Sequence, residues 1–276
     1  MLEFENRPYV WWNSESYPHH KGLLEYDWRR RKTDRFIFMR SQFVSEDNYD
    51  LILECGIKED RFQEFDILPN NIGSPIINQR TIKILSQICP DDFQAFPVTI
   101  INKPKIIDYE NHEYFLINIT QEVDSIDREK SYLKFWEDGK RIRDIRKLFF
   151  KPGCMGAIHL AREQYFHPLE LISPTLVKAF KKEKIKGGRF LTDLESYDEP
   201  FPEEYIMETF LEDPESAKRY FVSQLNTKED YEFFKTRISK IPSDILEALI
   251  DMTLSRSSFH KDQCEEIREI MREHKK

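Results

Sequence analysis

The chain has 276 residues, a formal net charge of −8, and 39% hydrophobic against 33% charged residues. Its 21 Phe and 12 Tyr supply enough buried area for a real core and exclude a disordered chain, which lacks such residues. The acidic balance argues against a general nucleic-acid binder, which needs a basic face to displace counterions, and suits a basic partner.

Cys55, Cys89, Cys154 and Cys264 lie far apart and form no Cys-x-x-Cys pair. Reduced, mostly buried thiols are expected in place of a disulfide or zinc framework. Met1-Leu2-Glu3-Phe4-Glu5 has acids where a signal peptide has bases, and no run approaches the ~20 apolar residues of a membrane span. A cytoplasmic protein without membrane association is expected.

In chain order, residues 1–35 alternate aromatic and polar groups without a clean period. Phe36-Ile37-Phe38-Met39 has strand character, and Tyr49 to Leu53 has it again. Ser74-Pro75 is expected to open a helix, with Ser74 as cap and Ile76, Ile77, Ile82, Leu85 and Ile88 on its apolar side. Two strands follow: one holds Phe96, Val98 and Ile100, and the other, Tyr114 to Ile119, is apolar on both faces and therefore central in a sheet. Tyr132 to Trp136 and Arg141 to Phe150 flank Asp138-Gly139, a hairpin signal in which both turn residues favour positive φ. Ser173-Pro174 starts a helix with Leu176, Val177 and Phe180 on one side. Lys181, Lys182 and Lys184 suit its C-terminus, and Gly187-Gly188 stops it before the strand Arg189 to Leu191.

Thr192 to Glu204 is acidic, contains Pro200 and Pro202, and reads as a linker. It divides an α+β domain, residues 1–195, from a helical region, residues 196–276. The first part is expected to hold a mixed, mainly antiparallel sheet with a few helices. Beyond it the apolar period is helical throughout. Tyr205, Ile206 and Phe210 mark one helix, and Asp213-Pro214 starts a second with Ala217, Phe221 and Leu225. Asn226 with Glu229 resembles a capping box before Tyr231, Phe234, Ile238 and Ile241. Ser243 precedes Ile245, Leu246, Leu249 and Ile250, and Cys264, Ile267 and Met271 line the last helix. Five such helices make a small bundle.

His159, Glu163 and His167 are spaced four apart, the spacing of one helix face, but Pro168 disfavours helix at His167, so no metal site is expected. The pair His19-His20 has no acidic partner close in sequence. Arg29 to Lys32 beside Trp28 and Tyr26 is a single basic run in an acidic chain, the pattern of a solvated or ion-pairing face. No phosphate-binding glycine loop or hydrolase elbow is present. No catalytic residue, metal or cofactor is expected.

Four motifs recur together. They are Gly73-Ser74-Pro75-Ile76-Ile77 with Phe96-Pro97-Val98; Tyr114 to Ile119 with Val123-Asp124-Ser125-Ile126-Asp127; Glu129-Lys130-Ser131 with the Asp138-Gly139 hairpin; and Leu171-Ile172-Ser173 with Gly187-Gly188-Arg189-Phe190. In order and spacing, residues from about 50 to 191 resemble a bacterial immunity-protein family of polymorphic toxin systems, long catalogued as a domain of unknown function. The resemblance covers about half the chain and leaves out residues 200–276. It implies an antitoxin: a non-enzymatic protein that binds and neutralises a cognate toxin domain, here a basic one if charge steers the encounter.

Two sets of residues are candidates for the bound surface. One is the turn and hairpin tip, with Asp124, Asp127, Glu129, Trp136 and Asp138. The other is the acidic stretch, with Asp193, Glu195, Asp198 and Glu199. From the residues alone, two other readings stay open: an intracellular enzyme with dispersed site residues, and an adaptor acting through its helical region.

Overall fold

A computed structural model describes residues 7–12, 24–26, 34, 36–45, 51–55, 65–102, 105–106, 114–255 and 260–274. The pair His19-His20, the run Arg29 to Lys32 and Tyr49-Asp50 lie outside the described residues. The fold is α+β, with mostly antiparallel sheets and a helical C-terminal region. The chain forms two units: residues 1–130 with 148–196, and residues 131–147 with 197–276.

The first unit begins with β1 (Tyr9–Trp12), β2 (Leu24–Glu25), β3 (Ile52–Cys55), β4 (Ile67–Leu68) and β5 (Ile76–Asn78). Helix α1 (Gln79–Ile88) follows, then β6 (Phe93–Asn102), β7 (Lys105–Ile106), β8 (Tyr114–Ile119) and β9 (Glu122–Val123). After the excursion into the second unit come β12 (Leu160–Glu163), β13 (Phe166–Ile172), helix α2 (Pro174–Lys182), β14 (Arg189–Leu191) and the short α3 (Asp193–Ser196). One sheet has the order β14-β1-β13-β12-β9, and the other β2-β3-β6-β8-β5-β4 with β7 beside β6. Among the described strands, only the β3–β6 and β9–β12 pairs are parallel.

The expected central strand is β8, flanked by β5 and β6. Its neighbouring residues feed two different cores. Leu116 packs with Leu24, Phe38, Leu53 and Phe96, while Ile117 packs with Trp11, Leu85, Leu160 and Phe180. The same alternation corrects the expected helix start at Ser74. Ile76 and Ile77 belong to opposite cores, which the period of two in a strand permits and a helix does not. The helix begins only at Gln79, where the side chain of Asn78 accepts from Thr81 N at 3.0 Å. Phe36 to Met39 is likewise not a strand: Ile37–Met39 is a 3-10 turn that buries Phe38 and leaves Phe36 outside.

Helix α2 starts where expected, with Ser173 Oγ accepting from Leu176 N at 3.2 Å. Gly187, at φ 93°, then passes the chain so close to β4 that a Cβ would fall on the Ile67 carbonyl oxygen. That approach, together with the positive φ, requires glycine.

The second unit comprises β10 (Tyr132–Phe135) and β11 (Ile142–Lys147), then α4 (Pro202–Phe210), α5 (Pro214–Leu225), α6 (Lys228–Lys235), α7 (Ser243–Leu254) and α8 (Lys261–His274). Ile206, Phe221, Leu225, Phe234, Leu249, Ile250, Cys264, Ile267 and Met271 form its core. Thr227, not Asn226, caps α6, accepting from Asp230 N at 3.1 Å. The hairpin, expected among residues 1–195, packs with these helices. The Tyr132 ring stacks on Phe233 with centroids 4.3 Å apart, and its hydroxyl donates to Gln224 Oε1 at 3.1 Å. Lys134 pairs with Asp230 at 2.9 Å, Arg146 with Glu199 at 2.7 Å and Lys147 with Glu204 at 3.1 Å.

The stretch Thr192 to Glu204 is more ordered than a linker. It contains α3, an isolated β-bridge between Asp198 and Lys147, and the start of α4, where Glu204 reaches back to Phe201 N at 3.0 Å.

Candidate functional site

The turn of residues 124–130 is fixed by its own backbone. Ile126 bridges Phe150, Asp127 N donates to Phe149 O at 2.8 Å, and Lys151 N donates to Ser125 O at 2.8 Å. Its carboxylates are mostly occupied locally. Asp124 pairs with Lys151 at 2.6 Å and Asp127 with Lys130 at 3.2 Å, while Glu129 is exposed. Beside them the Arg128 guanidinium lies 4.2 Å from the centre of the Tyr165 ring.

At the hairpin tip, Trp136 is 50% exposed. The turn is not the two-residue form with two positive φ angles, because only Gly139 has one, at 62°. Trp136 N donates to Arg141 O at 2.9 Å, and Gly139 N donates to Trp136 O at 2.8 Å. This is a longer loop built round a tight turn. Asp138 organises it, accepting from Lys140 N and Arg141 N at 2.9 Å each and from Arg141 Nε at 2.5 Å. The Arg141 side-chain bond, then the two backbone bonds, lower the Asp138 pKa to about 2. These bonds fix the backbone of the loop that follows Trp136.

The four acids of the second set divide between the units. Asp193 is buried: its Oδ2 receives Arg7 Nη1 at 3.1 Å and Phe150 N at 3.2 Å. It closes the interior of the first unit and presents no carboxylate to solvent. Glu195 is exposed and accepts from Thr192 N and Oγ1 at 2.8 Å each. Asp198 and Glu199, both exposed, face Lys147 and Arg146 in the second unit.

The His159, Glu163, His167 spacing does not fall on a helix: His159 lies just before β12, Glu163 ends β12 and His167 is on its partner β13. Each side chain has a different neighbour. His159 Nδ1 meets Ser173 Oγ at 2.8 Å, and His167 Nε2 meets Glu122 Oε1 at 3.1 Å. Glu163 is wholly buried and accepts from Ser125 N at 2.8 Å and from the Ser125 hydroxyl. Burial pushes the Glu163 carboxyl up, against the pull of the Ser125 bonds. Among the described residues, no three His, Cys, Asp or Glu side chains are grouped so as to hold a metal ion. No helix among them is long and apolar enough to cross a membrane.

Sequence reading passed over two residues. Arg162 is fully buried and ties several backbone segments together. Phe43, at 80% exposure, is the reverse, a large ring left outside. Neither lies in a period or motif that marks it.

The geometry so far is that of a braced scaffold with an exposed aromatic on each unit. A family model matches residues 26–193, and its description is the immunity protein family Imm11. The chain belongs to the Imm11 immunity-protein family. The matched span covers more than half of the chain and bears out the resemblance carried by the four motifs, reaching further towards the N-terminus than they do. It takes in the hairpin and stops before the five C-terminal helices of this Imm11 protein. Immunity proteins as a class have toxins as partners. No curated protein matches the chain.

Proposed function

We propose that this Imm11 protein binds a cognate toxin domain of a polymorphic toxin system and blocks it by occupancy, without turnover, in the cytoplasm of the producing cell. The observation that carries the reading is the family match over residues 26–193. Blocking by occupancy needs a rigid surface and high affinity and no reactive group. The braced hairpin tip, with Trp136 as an aromatic anchor beside Asp138, suits that task, since Trp is enriched among residues that dominate binding energy. Glu129 in the turn and Glu195, Asp198 and Glu199 in the acidic stretch are exposed and add negative charge to the surface. The net charge of −8 favours a basic toxin and speeds its arrival.

A few free toxin molecules harm a cell, so the dissociation constant belongs at nanomolar or below, about −12 kcal/mol. The test is co-expression with each toxin domain encoded beside this gene, scoring survival, followed by titration of the purified pair. Rescue with a stable complex is expected, and added salt slows association more than it speeds release. No rescue of any adjacent toxin and no complex would remove the reading. Rescue without a complex, dependent on conversion of the toxin's substrate or product, would favour an enzyme instead.

A further inference from the structure

Helices α1 and α2 both belong to the first unit, and neither Gln79–Ile88 nor Pro174–Lys182 contains an acid. Each turns its apolar side into one core, through Ile84 and Leu85 on α1 and through Leu176, Val177 and Phe180 on α2. The exposed residues of α1 are then Gln79, Arg80, Lys83, Ser86 and Gln87. Those of α2 are Thr175, Lys178, Lys181 and Lys182. The start of α1 meets the end of α2, because Arg80 Nη2 donates to Glu183 O. Arg80 Nη1 also lies 3.6 Å from Asp66, whose other carboxylate oxygen accepts from Lys186 N at 2.9 Å. Lys184 and Lys186, both exposed, follow α2 at this corner.

Elsewhere on this unit exposed bases are matched with acids: Arg40 with Asp34 at 2.6 Å, Lys151 with Asp124 at 2.6 Å and Lys130 with Asp127 at 3.2 Å. The helix face is different. Among the described residues, none of Lys83, Lys178, Lys182, Lys184 and Lys186 has an ion-pair partner. The acids beside it are few. Asp66 is buried and also accepts from Asn78 Nδ2 at 2.8 Å. Glu195 is bonded to Thr192, and those bonds, then Arg189 and Lys181, hold its carboxyl below the ordinary range. Glu183 is the one exposed acid within the run from Lys178 to Arg189. A chain of net charge −8 thus gathers unmatched lysines on one face. Net charge is a mean over the whole surface, whereas displacing counterions from a polyanion requires only a local basic face.

We propose that the exposed face of α1 and α2 binds the phosphate backbone of a nucleic-acid duplex without regard to sequence. Three observations select this occupant. Protein–protein interfaces are depleted in Lys and enriched in aromatic residues and Arg, and this face has the opposite composition. Phosphate contacts come from Lys and Arg together with Ser, Thr and Gln side chains, which is what Gln79, Ser86, Gln87 and Thr175 add to the lysines. Single-strand binders interleave aromatics on which bases stack, whereas the sole aromatic of the two helices, Phe180, is buried. Lys178 and Lys182, four residues apart on α2, are neighbours along one side of the helix. They meet a polymer that carries one negative charge per about 1.7 Å of its axis. This activity is separate from toxin binding at the hairpin tip and does not rest on the immunity reading.

The test titrates the full chain into fluorescent 20-base-pair DNA duplexes of unrelated sequence, following anisotropy from about 50 to 200 mM salt. Equal affinity for the duplexes is expected, falling steeply with salt. The triple variant Lys178→Gln, Lys182→Gln, Lys184→Gln should bind at least tenfold more weakly at the lowest salt. Its log–log salt slope should be shallower by about 3, since each lost phosphate contact removes about 0.9. The same three positions changed to Arg should bind as wild type does, and melting temperatures should agree among the three chains. In the wild-type chain, acetylation of Lys178, Lys182 and Lys184 should fall when duplex is added, a reading independent of any variant. A wild-type chain that leaves the duplex unbound at the lowest salt overturns the proposal, as does a triple Gln variant that binds within twofold of wild type. Capture by phosphatidylserine vesicles without duplex binding would assign the face to a membrane surface, and displacement of duplex by an equal charge of polyglutamate would assign it to an acidic protein. Either result overturns the proposal, and none of them bears on whether the chain neutralises its toxin.

Discussion

Arg162 and Glu170 face each other as cross-strand partners on β12 and β13, and Arg162 Nη2 lies 2.8 Å from Glu170 Oε1 with both side chains buried. The same guanidinium bonds His167 O at 2.8 Å, Gly73 O at 3.0 Å and Ser74 Oγ at 2.6 Å. One charge therefore joins β12 and β13 to the segments entering β5 and holding Phe38. Burial presses the Arg162 pKa down, and the Glu170 carboxylate opposes that. Removing one partner of a buried pair leaves the other uncompensated, at about 3–5 kcal/mol. Arg162→Met is expected to destabilise the chain by that much or to prevent folding, measured by urea denaturation. Glu170→Gln, which removes the counter-charge of the buried guanidinium, should also destabilise the chain. A loss under about 1 kcal/mol in Arg162→Met would show that the pair does not organise the unit.

Asp138 provides a check on the rigidity of the hairpin tip. Its folded pKa of about 2 lies below the ordinary 3.8. A depressed carboxyl contributes order that is complete above its unfolded pKa and is lost as pH falls through the folded value. Carbon-detected NMR titration should therefore place the Asp138 midpoint near 2. Asp138→Ala should abolish the protection of the Lys140 and Arg141 amides from hydrogen exchange without lowering the global melting temperature. An ordinary midpoint would mean that the loop is not held by this side chain.

Tyr132 separates ring packing from hydrogen bonding in the second unit. Tyr132→Phe keeps the stack on Phe233 and loses only the bond to Gln224, a change of about 1 kcal/mol. Tyr132→Ala removes the ring as well and is expected to cost about 3 kcal/mol. Equal losses in the two variants, measured by chemical denaturation, would deny the stack its role.

The hairpin also predicts how truncation behaves. A chain ending at Ser196 keeps residues 131–147 but lacks Gln224, Phe233, Asp230, Glu199 and Glu204, the groups that meet Tyr132, Lys134, Arg146 and Lys147. It is expected to bind a hydrophobic dye and aggregate. Replacing residues 131–147 with a short glycine-serine connection in the same truncated chain should restore solubility. A well-behaved 1–196 chain with its hairpin intact would show that the helices are dispensable to it.

Glu163 gives the opposite pH sign from Asp138. Its folded pKa is raised above the ordinary 4.5, burial being the main cause. A raised carboxyl favours the folded state most at low pH, and that contribution declines as pH rises from the unfolded value through the folded one. Glu163→Gln removes the decline. The melting-temperature advantage of wild type over the variant should therefore shrink as pH rises from 4 to 7. An advantage that grows over this range would contradict the assignment.

Local rules were enough for much of the chain. The apolar period of residues 205–271 marked five helices, Ser173-Pro174 began α2, and Tyr114 to Ile119 stood out as a central strand because both of its faces are apolar. Spacing and turn grammar carried the family resemblance as well. Those features are written within a few residues of each other, so the sequence determines them alone. Other features depended on what lies across a contact. Ile76 and Ile77 became a strand because two cores, on opposite faces of one sheet, each needed one of them. The hairpin joined the helices because Gln224, Asp230 and Phe233, about ninety residues away, complete its polar and aromatic partners. Asp193, read as surface acid, went inside because Arg7 and the Phe150 amide receive its charge there. Partners so distant in sequence leave no period at the residue itself, and only the tertiary structure brings them into reach.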